Sequence, residues 1–247
     1  MATANFRIHG VLNDFLSVGQ VGIVIPYCFE GRPAIKDAIE AIGIPHTEVA
    51  VVFVNGVPVE FGYGLRDRDD VEVYPHVSHP DVDAVWLQPF LPTGTAAFVL
   101  DVHLGKLARF MRTAGFDTVY SPVDPGDAEI AEIADSQNRI VLTRDTGLLK
   151  RSRVQYGYWL RATESRAQFR EVVGHYGLKQ FFQPFSRCSH CNGLVKQVEK
   201  DQVREQLPVG VEEDPLLTRF VECEECGHVY WQGSHYTRMQ RFFDSVD

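Results

Sequence analysis

Apolar and polar positions divide the chain into stretches with different periods. Short apolar runs at Phe6–Gly10 and Gly22–Pro26 read as strands around a polar, glycine-containing turn. In Pro33–Ile42 the apolar residues Ile35, Ala38, Ile39 and Ile42 recur with helical spacing, which predicts an amphipathic helix closed by Gly43. Val49–Val54, an Asn55-Gly56 turn, Val57–Val59 and Asp70–Tyr74 then predict strands, the first two as a hairpin. Pro75–Gly94 is rich in proline and polar residues and reads as a connector.

From residue 97 the pattern changes to alternating strand and helix. Strands are expected at Ala97–Leu100, Thr118–Tyr120, Arg139–Thr143 and Gly157–Arg161. Helices are expected at His103–Ala114, Asp127–Ser136, Gly147–Arg151 and Glu164–Tyr176. Strand–helix repeats with short connections predict a parallel sheet covered on both faces, with ligands at the carboxyl ends of its strands.

The last stretch carries Cys188-Ser-His-Cys191 and Cys223-Glu-Glu-Cys226, four of the five cysteines. Two such knuckles can complete a tetrahedral sulfur site, and soft thiolates select zinc over magnesium or calcium. A closed set of four thiolates leaves no position for water, so the expected role is structural. The 31 residues between Cys191 and Cys223 predict an insertion between two hairpins. Two disulfides are the alternative, opposed by the absence of a basic-then-apolar leader in MATANFRIHG, which points to the cytosol. No apolar run approaches the roughly 18 residues of a membrane span, so no membrane partner is expected. Cys28 is expected to be a buried small hydrophobe.

The net charge of −9 argues against a polyanion partner until its distribution is considered. Residues 1–92 carry 5 basic and 12 acidic side chains, whereas residues 93–183 carry 12 and 10. Arg144, Lys150, Arg151 and Arg153 belong to a basic run that could hold a phosphate backbone, with a solvated surface as the plain alternative. Asp101 and Asp145 follow predicted strands, and Asp127 and Glu129 open a predicted helix on the same edge. Carboxylates gathered there repel one another without a cation and suit Mg²⁺ or Mn²⁺. Asp101 and Asp127 could instead cap helices, Asp145 could turn the chain, and Glu129 could serve the helix dipole. Tyr230-Trp231 and His235-Tyr236 read as a small core, with base stacking the alternative.

The first stretch, with its VNG and DDVEVYP segments, resembles the ubiquitin-like β-grasp fold and its sulfur carriers. Here the final strand runs on into Pro75-His76-Val77 instead of ending in Gly-Gly, which opposes sulfur carriage. FVLDVHLGKLARFMRTAGFDTVY, IVLTRDTGLL, RCSHCNGLVKQV and CEECGHVYWQGSHYTRM resemble the Mut-seven C-terminal RNase family over about residues 97–242. That resemblance implies a PIN-like α/β nuclease domain at 96–183 and a zinc ribbon at 184–247, after a β-grasp domain at 1–80 and a linker at 81–95. It implies an Mg²⁺-dependent ribonuclease acting on tRNA or another structured RNA, with acids at Asp101, Asp145 and the Asp127/Glu129 region. The alternatives are an RNA-binding module with a vestigial site, an adaptor whose β-grasp domain docks a protein, and a phospho-accepting receiver-like domain.

Overall fold

The computed structural model describes residues 1–76, 87, 91–92 and 96–246. Apart from Leu87, Leu91 and Pro92, the linker expected at 81–95 lies outside them. The chain divides into two compact units, residues 1–95 with 126–159, and residues 96–125 with 160–247.

In the first unit, β1 (Ala2–Ile8), β2 (Ile25–Phe29), β3 (Val49–Val54), β4 (Val57–Val59) and β5 (Asp70–Pro75) form one sheet in the order β2-β1-β5-β3-β4. The central strand β5 is parallel to its neighbour β1, and every other pairing is antiparallel. Helix α1 (Ile35–Ile42) lays Ile35, Ala38 and Ile39 into the core with Phe6, Val52 and Val73. This is the β-grasp arrangement. Strand β3 is buried along its whole length because its other face also packs, through Ala50, Val51 and Phe53 against Tyr74. Cys28 corrects the expectation of burial: it points outward from β2, and its Sγ lies 3.7 Å from Thr3 Oγ1.

The same unit holds α3 (Asp127–Ser136), β8 (Ile140–Thr143), α4 (Thr146–Leu149) and β9 (Gly157–Trp159), with β8 and β9 parallel. The free side of β9 is covered by residues 46–48. The Glu48 carboxylate accepts the Trp159 amide at 2.6 Å, and a His46 ring nitrogen lies 3.0 Å from the Val154 carbonyl oxygen. The β-grasp domain thus supplies an edge that a bare strand would leave unpaired.

In the second unit, β6 (Ala97–Leu100) and β7 (Asp117–Val119) pair in parallel beside α2 (Gly105–Thr113) and α5 (Ser165–Tyr176). Glu164 caps α5 by accepting the amides of Arg166 and Ala167, and Gly177 ends it in a left-handed conformation. A C-terminal helix, α8 (Ser234–Asp244), was not evident in the sequence pattern. It returns Phe242 to within 5.3 Å of Phe110 and 5.6 Å of Phe169, ring centre to ring centre.

The ribbon is a three-stranded antiparallel sheet of β10 (Val195–Val198), β11 (Phe220–Cys223) and β12 (Val229–Trp231). The insertion between the knuckles forms α6 (Lys200–Val203) and α7 (Val209–Glu212), which contribute to a cluster of Val203, Leu207, Phe220 and Val229. Trp231 packs against that cluster, as expected of a ribbon core, whereas Tyr230 alternates to the opposite face.

Candidate metal centre and carboxylate site

The two knuckles are built alike. Cys188 donates its amide to the Gly193 carbonyl at 2.8 Å, and Cys223 donates to His228 at 2.9 Å. Asn192 and Gly227 then donate back to Cys188 and Cys223, each at 3.0 Å. Both residues sit at positive φ, 77° and 71°, a conformation tolerated best by asparagine and glycine. Gly193 is required for a different reason. A Cβ there would stand 2.5 Å from Glu225 Cγ and 3.1 Å from the Cys223 sulfur.

These turns bring the sulfurs of Cys188, Cys191, Cys223 and Cys226 within 4.8 Å of one another. Cys188 and Cys226 are 3.7 Å apart and Cys191 and Cys223 3.4 Å apart, too far for disulfides. Zinc bound at about 2.3 Å to four sulfurs in a tetrahedron requires them roughly 3.8 Å apart, so the donor set fits that ion.

Electrostatics divide the thiols. Burial opposes ionisation of Cys188, but donation from the Tyr230 hydroxyl at 3.0 Å and from backbone amides outweighs it and brings the thiol down to about 7. Cys191 is pushed up to about 12, first by burial and then by its sulfur neighbours, against the Gly193 amide. Burial also raises Cys226. Four thiolates this close cannot all carry charge without a cation among them.

The first knuckle is tied into its unit by buried polar contacts. Asn192 donates to Asp117 at 2.8 Å and accepts the Thr118 amide at 2.9 Å. Arg112, 5% exposed, donates to the carbonyls of Thr118 and His190. Burial lowers the Arg112 pKa, and the nearby Cys188, Cys191 and Asp117 oppose that shift.

Each carboxylate singled out in the sequence has a definite local setting. Asp101 follows β6 directly and is half-buried, without a side-chain capping bond to the 3₁₀ turn Val102–Leu104. Asp145 lies just beyond β8, where its Oδ1 accepts the Gly147 amide at 2.7 Å. Asp127 is the first residue of α3 rather than its N-cap, which is Gly126, and it pairs with Arg151 at 3.3 Å. Glu129 is exposed in the first turn of α3, and His103 is exposed.

Of the expected RNA-contacting residues, Lys150 donates its ammonium to the Glu40 carbonyl at 2.8 Å in the β-grasp domain. Arg151 pairs with Asp127 and Arg153 with Glu132, both on exposed side chains. Arg144 is exposed, and its carbonyl accepts the Trp159 indole N–H at 3.1 Å.

A β-grasp sheet, parallel strands flanked by helices and a four-cysteine ribbon define a three-part α/β protein with a metal-ready module at its end. The Mut7-C RNAse domain family matches residues 96–243, and the Mut7-C ubiquitin family matches residues 1–81. The chain belongs to the Mut7-C RNAse domain family and carries its ubiquitin-like partner domain in front. No curated protein and no solved structure matches the chain. Among the described residues no helix is long and apolar enough to cross a membrane.

Proposed function

We propose that this protein is a divalent-metal-dependent ribonuclease that hydrolyses RNA phosphodiester bonds. In this reading a β-grasp domain (1–80) and linker (81–95) precede a PIN-like catalytic domain (96–183), and a zinc ribbon (184–247) completes the chain. Its partners are RNA and, through the β-grasp domain, a protein; its structured substrates include tRNA. Family membership supports nuclease chemistry. The observation that carries the site is the position of two carboxylates, Asp101 and Asp145, each just beyond the carboxyl end of a parallel strand. That end of a parallel strand is where α/β proteins bind ligands.

Asp101, Asp127 and Asp145, with Glu129 as a further donor, offer the hard oxygens that Mg²⁺ or Mn²⁺ takes. An ion held by these acids would supply a hydroxide-like nucleophile and would neutralise a phosphoryl oxygen. The residues around these acids have separate tasks. Arg151 compensates the charge of Asp127 and lies where a phosphate could replace that carboxylate as its partner. Both side chains are at least 40% exposed, so the exchange costs little. Asp145, fixed by the Gly147 amide, presents its second oxygen in one orientation. The four cysteines hold zinc and no reacting group, since their site is closed.

The test is Mg²⁺-dependent cleavage of end-labelled RNA by the wild-type protein and by Asp101→Asn, Asp127→Asn and Asp145→Asn. Loss of turnover with an unchanged melting temperature is expected for each. Wild-type rates in all three would remove catalysis from these acids. RNA binding without cleavage by the wild type would leave a binding module with a vestigial site.

A further inference from the structure

A cleft on the ribbon is lined by residues from both faces of its sheet. The directly paired residues Gln197, Val221 and Tyr230 cross the three strands in one row, on the side away from Phe220 and Trp231. They border a cleft of about 840 Å³ whose lining also includes Phe220, Val229 and Trp231, within the roughly 300–1,000 Å³ span of sites that enclose small molecules. Phe185 and Tyr236, also on the lining, stack with ring centres 4.1 Å apart and planes 27° from parallel. Phe185 is held there at φ 64°, with its amide donated to Thr113 at 2.7 Å. A bulky residue in the left-handed region is unusual and requires such anchoring.

Charge selects the occupant. Residues 184–247 contain 7 basic and 11 acidic side chains, yet the cleft is lined by no acid. Arg219 lines it with His228 and His235, and so does Arg187, whose charge is partly met by Asp117 at 3.7 Å. Aromatic rings beside guanidinium groups suit a flat, electron-rich ring attached to an anion. A base that has left its stack and remains joined to its phosphate has that chemistry, and aromatic stacking is how single-stranded RNA is held. A base inside a duplex cannot enter.

Resting on the reading that RNA is the substrate, we propose that this cleft is a single-stranded nucleotide subsite. One unpaired base extends the Phe185–Tyr236 stack, Gln197 meets its polar edge, and Arg219 meets the adjoining phosphate. Tyr230 joins this subsite to the metal-ready module, because its hydroxyl bonds both the Cys188 sulfur and Ser189 Oγ. The ribbon then selects RNA with an unpaired segment while cleavage occurs elsewhere in the chain.

The experiment measures anisotropy of a fluorescein-labelled single-stranded RNA and of its duplex on full-length, zinc-loaded protein, with no magnesium or manganese added. Tyr236→Ala and Arg219→Ala should each weaken single-strand binding about tenfold and leave duplex binding unchanged. Tyr236→Phe, which keeps the ring, should bind like wild type. If melting curves show that Tyr236→Ala disturbs the fold, the exposed Arg219→Ala and Gln197→Ala variants decide the matter. Wild-type affinity in the folded variants, or a wild type that prefers the duplex, would overturn the subsite and leave the ribonuclease reading intact. A wild-type protein that binds neither RNA would overturn both.

Discussion

Arg112 donates to the carbonyl oxygen of His190 at 2.7 Å, linking the middle of the α/β unit to the first cysteine knuckle across 78 positions of sequence. Its Nε donates to the Thr118 carbonyl at 2.9 Å, so one guanidinium joins α2, β7 and the knuckle. Replacement by Met would fill much of the space and leave two carbonyls without their charged donor. Arg112→Met should therefore lower stability by about 2–4 kcal/mol and speed metal loss, whereas Arg112→Lys should be milder. Thermal melting and a chelator competition would check this, and unchanged zinc retention in the Met variant would contradict the link.

The sulfur spacing leads to one zinc per chain, held by Cys188, Cys191, Cys223 and Cys226. Elemental analysis should return that stoichiometry, and Cys188→Ser should reduce it. Because ligand assembly is coupled to folding, metal removal should open residues 184–247 to protease first and leave the β-grasp sheet protected. A disulfide between any two of these cysteines in the purified protein would contradict the assignment.

The lysine and arginines of the basic run should behave differently towards salt. Arg151→Ala with Arg153→Ala should lower the slope of log affinity against log salt by about 1.4 for single-stranded RNA, as two lost phosphate contacts require. Lys150→Ala should leave the slope alone and destabilise the protein instead, because its ammonium is committed to the Glu40 carbonyl. A change of slope with Lys150→Ala would mean that this bond gives way to RNA.

Asp145 and Asp127 separate local structure from chemistry. Asn at 145 can still accept the Gly147 amide, so Asp145→Asn should fold normally and lose metal-dependent cleavage. Asp127→Asn gives up an exposed ion pair worth about 0–1 kcal/mol, so its melting temperature should barely move. Retained cleavage in Asp127→Asn would transfer the role to Glu129.

Acid should act on the β-grasp sheet through Glu72. The hydroxyl of Tyr74 donates to its carboxylate and is the main reason its pKa lies below the ordinary 4.5; burial opposes the shift, and His9 and Arg7 add to it. The unfolded chain thus takes up this proton first as pH falls. The stabilisation is complete above about pH 4.5 and fades as pH drops through the lower folded value. Glu72→Gln should be less stable than wild type at neutral pH and approach it in acid. Parallel stability curves for the two proteins would exclude Glu72 as the source.

Much of this architecture was legible along the chain because its signals are local. The helical spacing in Ile35–Ile42 matches α1, Asn55-Gly56 makes the β3–β4 turn, and the Cys-x-x-Cys spacing fixes both knuckles. Boundaries moved where neighbours decided them: β1 begins at Ala2 and β2 runs on to Phe29, because pairing between Ala2 and Phe29 extends both strands. Other features depended on residues far apart in sequence. Nothing local could show that Lys150 serves Glu40, that Arg112 reaches the knuckle, or that Phe242 closes against Phe110. Composition likewise hid the acid-free cleft, since the acidic residues of the ribbon lie outside its lining. Periodicity and turn chemistry act over a few residues and are written in the sequence. Which charges and rings share a surface depends on the closure of long loops, and that is settled only when the chain packs.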